Sequence, residues 1–214
     1  MFTAANVIEG AREQHPAFDE YRTPQSVLFR QLNRYTRELY VRAVEKHSYL
    51  TVTTLTVPLP LADFEDGIDL PAGYVRVIGG EIEHESGRRA DLNLVTARNR
   101  NSHNWPYPVY ISGDVLYLTG ASNDWNGLVN VLIDYNPAPV LPALITDAVP
   151  LPDSAERVLT DHLAFWMCRR QGSYEGMVLP TNDYHGYWKQ SEKEFLVELA
   201  QHSRPQQNTV REAW

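Results

Sequence analysis

The feature that most constrains this chain is residues 128–170, where a predicted strand enters a helix through a proline-rich connector. The predicted strand, Leu128 to Tyr135, carries apolar side chains at alternate positions, which is typical of a strand with one buried face. Prolines follow at positions 137, 139, 142, 150 and 152 and interrupt regular structure, because proline lacks a backbone donor. The chain therefore passes here from a β segment back into a helical segment, and we expect the function to depend on this connection.

The helix after the connector has recognisable signals at both ends. Asp153 or Ser154 can cap it with a side-chain oxygen. Glu156 favours its positive end, and Arg169 and Arg170 favour its negative end. Its predicted inward stripe consists of Ala155, Leu159, His162 or Leu163, and Trp166.

Two further helices are predicted from apolar residues that recur every three or four positions. One begins at Thr23-Pro24, with Thr as the cap and Pro at the first helical position, and ends near 46–48. The other begins at about Asn182. Residues 1–22 show no clear period. The inward stripes are Leu28, Leu32, Tyr35, Leu39 and Ala43 in one helix, and Tyr184, Trp188, Ser191, Phe195 and Leu199 in the other. On the first of these helices the predicted outer residues are Arg30, Arg34, Arg37 and Glu38. On the second they are Lys189, Glu192, Lys193 and Glu194.

The region between the first helix and the connector predicts short strands. Residues 49–57 are rich in β-branched side chains, and Gly79-Gly80 and Gly113-Asp114 each predict a hairpin turn. Asp91 to Asn99 predicts a short surface helix. We therefore expect an α+β fold with a helical bundle from residues 1–48 and 150–202. Residues 49–149 would form an inserted antiparallel sandwich or barrel with its connector, and residues 203–214 an extended C-terminal tail.

Composition restricts the class of protein. A net charge of −8 argues against a conventional nucleic-acid binder, since such proteins neutralise phosphates with Lys and Arg. It is compatible with a protein that lets DNA slide past. The single cysteine excludes an intramolecular disulfide and suits a reducing compartment. We expect no signal peptide and no membrane span, because no apolar run approaches ~18 residues.

The sequence contains few residues in patterns that indicate catalysis. We therefore predict a protein that is not an enzyme and needs no cofactor or metal. No nucleophile elbow, phosphate-binding glycine loop or metalloprotease motif is present. Cys168 and His162 lie six residues apart, about 600° around a helix, so they point in roughly opposite directions.

A hydrolase that uses Glu81, Glu83, His84 or Asp161 is the third-ranked hypothesis. Glu81, Glu83, His84 and Glu85 could hold a divalent ion but favour a solvated hairpin edge, and Asp63, Glu65, Asp66 and Asp69 favour a solvated loop.

Aromatic residues support a second hypothesis, a non-catalytic virion decoration or carbohydrate-binding module. Trp105-Pro-Tyr107-Pro is typical either of a ligand platform or of a stiff loop packed on a sheet. Such a module would use Trp105, Tyr107, Tyr110 and Trp125.

The last dozen residues, SRPQQNTVREAW, have no period and little apolar content. They are typical of a disordered, disposable tail, but they also contain two arginines and a tryptophan, residue types that are enriched at interface hot spots. A flexible segment can order on a partner and cover a large surface. We predict partner binding by Arg204, Gln206, Val210, Arg211 and Trp214.

The order of these features resembles the head-to-tail adaptor proteins of tailed bacteriophages, also called head-completion or neck proteins. The resemblance rests on RTPQSVLFRQLNRYTRELYVRAV, on LVNVLIDYNPAPVLPALITDAVPLPDSAERVLTDHLAFWMCRR and on the polar tail. Thr23-Pro24, Tyr135-Asn136-Pro137, Leu151-Pro152-Asp153 and Arg169-Arg170 match the short motifs of that family. Residues 58–127 depart most from the pattern.

The resemblance implies a virion protein, made in the host cytoplasm and located at the neck between head and tail. It implies a homo-oligomeric ring, commonly twelve-fold, under the portal protein, with tail or neck proteins on its far side. The C-terminal tail would enter grooves of the portal, and DNA would pass through without specific binding. Ring contacts join different faces of neighbouring copies, for which we expect Arg30, Arg34, Arg37, Glu192, Glu194 and Glu198.

Overall fold

A computed structural model describes residues 1–47, 50–59, 67–96, 107–119 and 127–202. The fold is α+β, as predicted. Its elements, in chain order, are α1 (Ala4–Glu13), α2 (Gln25–Lys46), β1 (Thr53–Pro58), β2 (Ile68–Asp69), β3 (Arg76–His84), β4 (Arg89–Asp91), β5 (Asn93–Leu94), β6 (Pro108–Ser112), β7 (Val115–Leu118), β8 (Leu128–Asn136), α3 (Ala155–Gln171), β9 (Ser173–Tyr174), β10 (Met177–Val178) and α4 (Thr181–His202).

The chain divides into two compact units. The helical unit combines Met1–His47 with the chain from Pro139 onward, and the β unit is Ser48–Ala138. In the helical unit α1 and α4 both contact α3, and α2 contacts the other three helices. Residues from both ends of the sequence therefore share one set of helix contacts.

The first helix, α1, corrects the interpretation of residues 1–22 as a segment without a clear period. It begins with a capping box in which the Thr3 hydroxyl accepts from the Asn6 amide and the Asn6 side chain accepts from the Thr3 amide. Val7, Ile8 and Ala11 are buried. Together with the buried Ala4 they follow the i, i+3, i+4, i+7 spacing of a helix, so a signal for this helix was present in the sequence.

The predicted inward stripe of α2 is confirmed, since all five of its residues are buried. The predicted cap is wrong: Pro24 occupies the N-cap and makes no side-chain capping bond. The Thr23 side chain is instead buried, and its hydroxyl accepts a hydrogen bond from Gln171 Nε2 at 3.1 Å. Thr23 thus joins the start of α2 to the end of α3.

The ends of α3 agree with the sequence in part. Arg169 and Arg170 lie in its last turn, and Gly172, at φ 68°, ends the helix. Ser154 is the N-cap residue but makes no side-chain capping bond. Asp153, the other predicted cap, has its carboxylate 2.8 Å from the Met1 amino group. The ion pair occupies the oxygens that were expected to cap the helix.

One sheet of the β unit has the strand order β1-β8-β3-β4, and all its pairs are antiparallel. The predicted hairpin turn at Gly79-Gly80 is wrong, because β3 runs without interruption through both glycines. The register against β8 shifts between Val77 and Gly79, so β3 contains a β-bulge with one extra residue at this point. A Cβ at Gly80 would lie 2.4 Å from the Leu132 carbonyl oxygen, so this glycine permits close strand approach.

The second sheet has the order β2-β7-β6-β5. The predicted hairpin at Gly113-Asp114 is confirmed, with β6 and β7 paired from Val109↔Leu118 to Ser112↔Val115. The pair of β5 and β6 is parallel, so this sheet is mixed rather than purely antiparallel. The surface helix predicted from Asp91 is wrong as far as the structure describes it, because Asp91 ends β4 and Asn93–Leu94 is β5.

The core of the β unit draws on strands of both sheets. Val77, Ile82, Val131 and Ile133 from the first sheet belong to the same buried cluster as Leu116 from the second. Along β8 the predicted alternation is confirmed only in part: Val131 and Ile133 are buried, whereas Val129 and Tyr135 are only partly buried.

Candidate interaction surface

The outer face of α2 carries three exposed arginines at helical spacing. Arg30, Arg34 and Arg37 follow one another by four and three residues, and all three side chains are exposed. Residues at this spacing lie on one side of a helix. Arg34 Nε is 3.4 Å from Glu38 Oε1, an exposed pair within the same helix. The face is therefore predominantly cationic.

The predicted acidic partner residues on α4 are not equivalent. Glu194 and Glu198 are exposed, and Glu194 Oε2 lies 3.6 Å from Arg157 Nη1 of α3. Glu192 is buried, with 6% relative exposure. Its predicted place on the outer face is wrong, because it lies one residue, about 100° of rotation, beyond the inward Ser191 and faces α2.

Glu192 is held by residues of two helices. Its Oε1 accepts a hydrogen bond from Tyr35 Oη at 3.2 Å and forms an ion pair with Arg42. Its Oε2 lies 2.9 Å from Lys189 Nζ. A carboxylate buried this deeply needs charged partners, and two cations supply them. The side chain thereby fixes α4 against α2.

Next to this carboxylate, three aromatic rings pack against one another. Tyr35 and His162 are stacked, with centroids 3.6 Å apart and an interplanar angle of 11°. The edge of Trp188 meets both rings, and Trp188 Nε1 donates a hydrogen bond to Tyr35 Oη at 2.6 Å. The cluster joins α2, α3 and α4.

The environment of the cluster shifts two proton equilibria. Burial, assisted by the positive charges of Lys189, Arg42 and Arg34, lowers the pKa of His162 from 6.5 to about 3. Burial also raises the pKa of the Tyr35 phenol well above its ordinary value, although the Trp188 hydrogen bond opposes the shift. Both rings are therefore neutral at physiological pH.

The hydrogen bonds of His162 define its tautomer. Gln31 Nε2 lies 3.2 Å from His162 Nε2, and because the amide nitrogen must donate, the ring nitrogen accepts and Nδ1 carries the proton. His162 Nδ1 is buried and has no hydrogen-bond partner within the described residues. The apolar face around it predicts a core or interface histidine with a satisfied ring; His162 is buried, but the expectation of a satisfied ring is wrong for Nδ1 within the described residues.

Cys168 and His162, which both belong to α3, contact different residues. Cys168 is buried, and its Sγ lies 3.4 Å from Thr181 Oγ1, whereas His162 stacks on Tyr35. Asp161 accepts from Gln14 Nε2 at 3.1 Å and lies 3.8 Å from Arg157 Nε. These contacts give the polar groups of α3 structural partners.

The acidic residues of β3 pair with neighbouring strands. Arg89 lies 3.4 Å from both Glu81 and Glu83, and Asn130 Nδ2 donates to Glu83 at 2.7 Å. The Asn130 hydrogen bond, together with Arg89, lowers the pKa of Glu83. His84 Nδ1 accepts from the Ser86 amide at 3.1 Å. In the described part of the chain, no group of three His, Cys, Asp or Glu side chains is placed to hold a metal ion.

The aromatic residues proposed for a carbohydrate platform are only partly described. Tyr110 and Tyr117 stack across β6 and β7, with centroids 5.0 Å apart, so each ring covers one face of the other. Tyr107 has a positive φ of 48°, which is uncommon for a bulky residue. Trp105 and Trp125 lie outside the described residues, as do Asp63, Glu65 and Asp66; Asp69 ends β2.

The tail residues predicted to bind a partner, Arg204, Gln206, Val210, Arg211 and Trp214, also lie outside the described residues. Sequence reasoning missed the network of Tyr35, His162, Trp188 and Glu192. A signal was present, because each of the three inward stripes contains at least one aromatic ring with a polar atom.

Comparison with known proteins finds no matching family model and no curated protein with significant sequence similarity. Within the described ranges, none of the helices combines the length and the apolar character that crossing a bilayer requires.

Proposed function

We propose that this protein is a structural connector of a tailed-phage virion. It forms a homo-oligomeric ring, of twelve copies in this proposal, that docks under the portal protein and joins the DNA-filled capsid to the tail. In finer detail, α1 to α4 form a helical bundle, and the β unit is an antiparallel sandwich with one parallel edge pair. The connector catalyses no reaction and requires no cofactor.

The observation that carries the proposal is the order of elements along the chain. Strand β8 leads into the proline-rich connector, the Leu151-Pro152-Asp153 motif precedes α3, and α3 ends with Arg169-Arg170. This is the order that resembles the adaptor family. The helices on either side of the β unit belong to one compact unit, which agrees with an inserted β module.

The charges of the helical unit support ring formation. Arg30, Arg34 and Arg37 of α2 are exposed, and so are Glu194 and Glu198 of α4. In a ring, one face of each copy meets a different face of the next, and opposite charges on the two faces favour that orientation. Glu192 takes no part in this contact, because its carboxylate is already neutralised within the subunit.

The net charge supports passage of DNA. A protein of charge −8 repels a polyanion over distances of about 10 Å at 0.1 M salt and offers little counterion release. A channel lined by such subunits would let DNA move without retaining it. In the proposal, the tail residues Arg204, Gln206, Val210, Arg211 and Trp214 bind the portal.

Native mass spectrometry of the protein, alone and mixed with a purified portal protein, tests the proposal. We expect a ring of this chain on the portal, and a variant that lacks residues 203–214 should keep its fold but fail to attach. Circular dichroism of the truncated chain provides the folding control. A wild-type chain that stays monomeric with and without the portal would refute the connector function.

A further inference from the structure

The distribution of lysine in this chain is strongly uneven. The sequence contains only three lysines, Lys46, Lys189 and Lys193. Lys46 ends α2, whereas the other two lie on α4, more than 140 residues later in the sequence. All three line the same surface groove of the helical unit. We call this site the lysine groove, and it is lined by Arg42, Lys46, Lys189, Glu192, Lys193, Leu196, Val197 and Ala200.

The lysine groove is rich in cationic side chains, although the net charge of the chain is negative. Four cationic side chains and one carboxylate line it, whereas the chain as a whole has a net charge of −8. Glu192 engages Arg42 and Lys189. Lys193 is exposed and has no ion-pair partner in the part of the chain that the structure describes.

Part of the lining of the groove is aliphatic. It consists of Leu196, Val197 and Ala200, which we call the floor, and Val197 is 49% exposed. The groove has a volume of about 400 Å³, enough for a few side chains of a peptide. A groove that combines cationic and aliphatic side chains favours a ligand with acidic groups beside an apolar anchor, as when an amphipathic helix binds in a groove.

We propose that the lysine groove binds an acidic amphipathic helix of a partner protein, with leucine-like side chains on the floor and carboxylates near the lysines. A nucleic acid fits less well, because Glu192 and the three aliphatic residues offer it no complementary contact. The inference depends on the groove alone and goes beyond the connector function, so either can fail without the other.

Fluorescence anisotropy with a designed peptide tests the proposal on the full-length chain. The probe is a fluorescein-labelled 15-residue peptide of glutamate and leucine, with leucines at helical i, i+3, i+4 spacing. We expect saturable binding that weakens as salt rises, because salt screens exposed charges. A peptide of the same composition with scattered leucines should bind at least fivefold more weakly, and one with lysine in place of glutamate should not bind.

Matched variants assign the binding to the groove. The triple change Lys46→Gln, Lys189→Gln and Lys193→Gln should weaken binding about threefold or more, since each exposed pair contributes about 1.4- to fivefold. A control with the same change in charge, Arg76→Gln, Arg88→Gln and Arg169→Gln, should stay within twofold of the wild type. Val197→Asp, which alters no ion pair, should also weaken binding and provides the test if the triple lysine variant does not fold.

Four results would overturn the inference. Equal losses in the two triple variants would mean general charge attraction, and equal binding of the scattered peptide would exclude a specific apolar floor. Tighter binding of a 15-base-pair DNA duplex would make the groove a nucleic-acid site. Self-association that the lysine changes abolish, measured by sedimentation, would make a second copy of this chain the occupant.

Discussion

Trp188 donates a hydrogen bond of 2.6 Å from its indole Nε1 to the phenol oxygen of Tyr35, a residue 153 positions earlier in the chain. The same phenol donates to the buried carboxylate of Glu192. One hydroxyl group thus connects the first long helix to the last. The helical unit depends on such contacts, because its helices come from two segments that the β unit separates in sequence.

Tyr35→Phe should lower the free energy of unfolding by about 1–3 kcal/mol, because it removes the acceptor of the partly buried Trp188 N–H and a hydrogen bond to a charged carboxylate. Urea unfolding followed by circular dichroism measures the change. Tyr21→Phe removes the same hydroxyl from a side chain that is 97% exposed and should change stability by less than about 0.5 kcal/mol. Equal effects of the two substitutions would contradict the role of the network.

Acid should destabilise the protein through His162. Its pKa is about 3 in the folded chain and ordinarily 6.5, so between these values the unfolded chain binds a proton that the folded chain does not. Stability is therefore retained above pH 6.5 and lost as the pH falls. The loss from this group should reach about 2 kcal/mol at pH 5, since one unit of pH corresponds to about 1.4 kcal/mol.

Urea unfolding of wild type and of His162→Phe at pH 7.5 and pH 5 isolates this effect, because phenylalanine keeps a stacked ring without a titrating group. The variant should lose much less stability than the wild type between the two pH values. His185→Phe changes a histidine on an exposed part of α4 and should leave the pH dependence of the wild type intact. An unchanged pH dependence in His162→Phe would be inconsistent with a buried neutral histidine.

Glu192→Gln should destabilise the fold more than Glu194→Gln. The first change leaves Arg42 and Lys189 without their carboxylate, but their side chains are 40% and 46% exposed, so water replaces part of the lost interaction. We therefore expect about 1–2 kcal/mol, below the 3–5 kcal/mol of a fully buried pair. Glu194 is 52% exposed and should contribute about 0.5 kcal/mol or less. Thermal melts of both variants, measured together, test the difference.

Gly80→Ala should destabilise the β unit by about 2 kcal/mol or more, because its new methyl group would overlap the Leu132 carbonyl oxygen and force the strands apart. Gly79→Ala is the matched control, since a Cβ there meets nothing within 4 Å in the described structure. Proteolysis of the β unit under native conditions, quantified by mass spectrometry, reports local opening. Similar protection in both variants would show that the close approach at Gly80 is not required.

The sequence predicted the long helices well because their periodicity extends over many turns. Leu28, Leu32 and Leu39 lie where the repeat requires, and all are buried. The hairpin of β6 and β7 was also predictable, because Gly113 and Asp114 supply turn residues between two apolar runs. In these cases local preference and tertiary contacts favour the same structure.

The errors occur where tertiary contacts override a local signal. Gly79-Gly80 is a typical turn sequence, but pairing with β8 on one side holds the segment extended. Glu192 is charged, and periodicity alone places it on the outer face of α4. Its ion pairs with Arg42 and Lys189 instead stabilise it in the contact between α2 and α4. No short-range pattern in the sequence reports a partner 150 residues away.

The register of β1 and β8 has an evolutionary consequence. Thr53 lies directly opposite Tyr135, so the strands that begin and end the β unit are neighbours, about 5 Å apart. A module whose ends meet can be exchanged as a cassette, because its host needs only a short gap to receive it. Recombination could therefore give such a chain a new β module without altering the spacing of the helices that flank it.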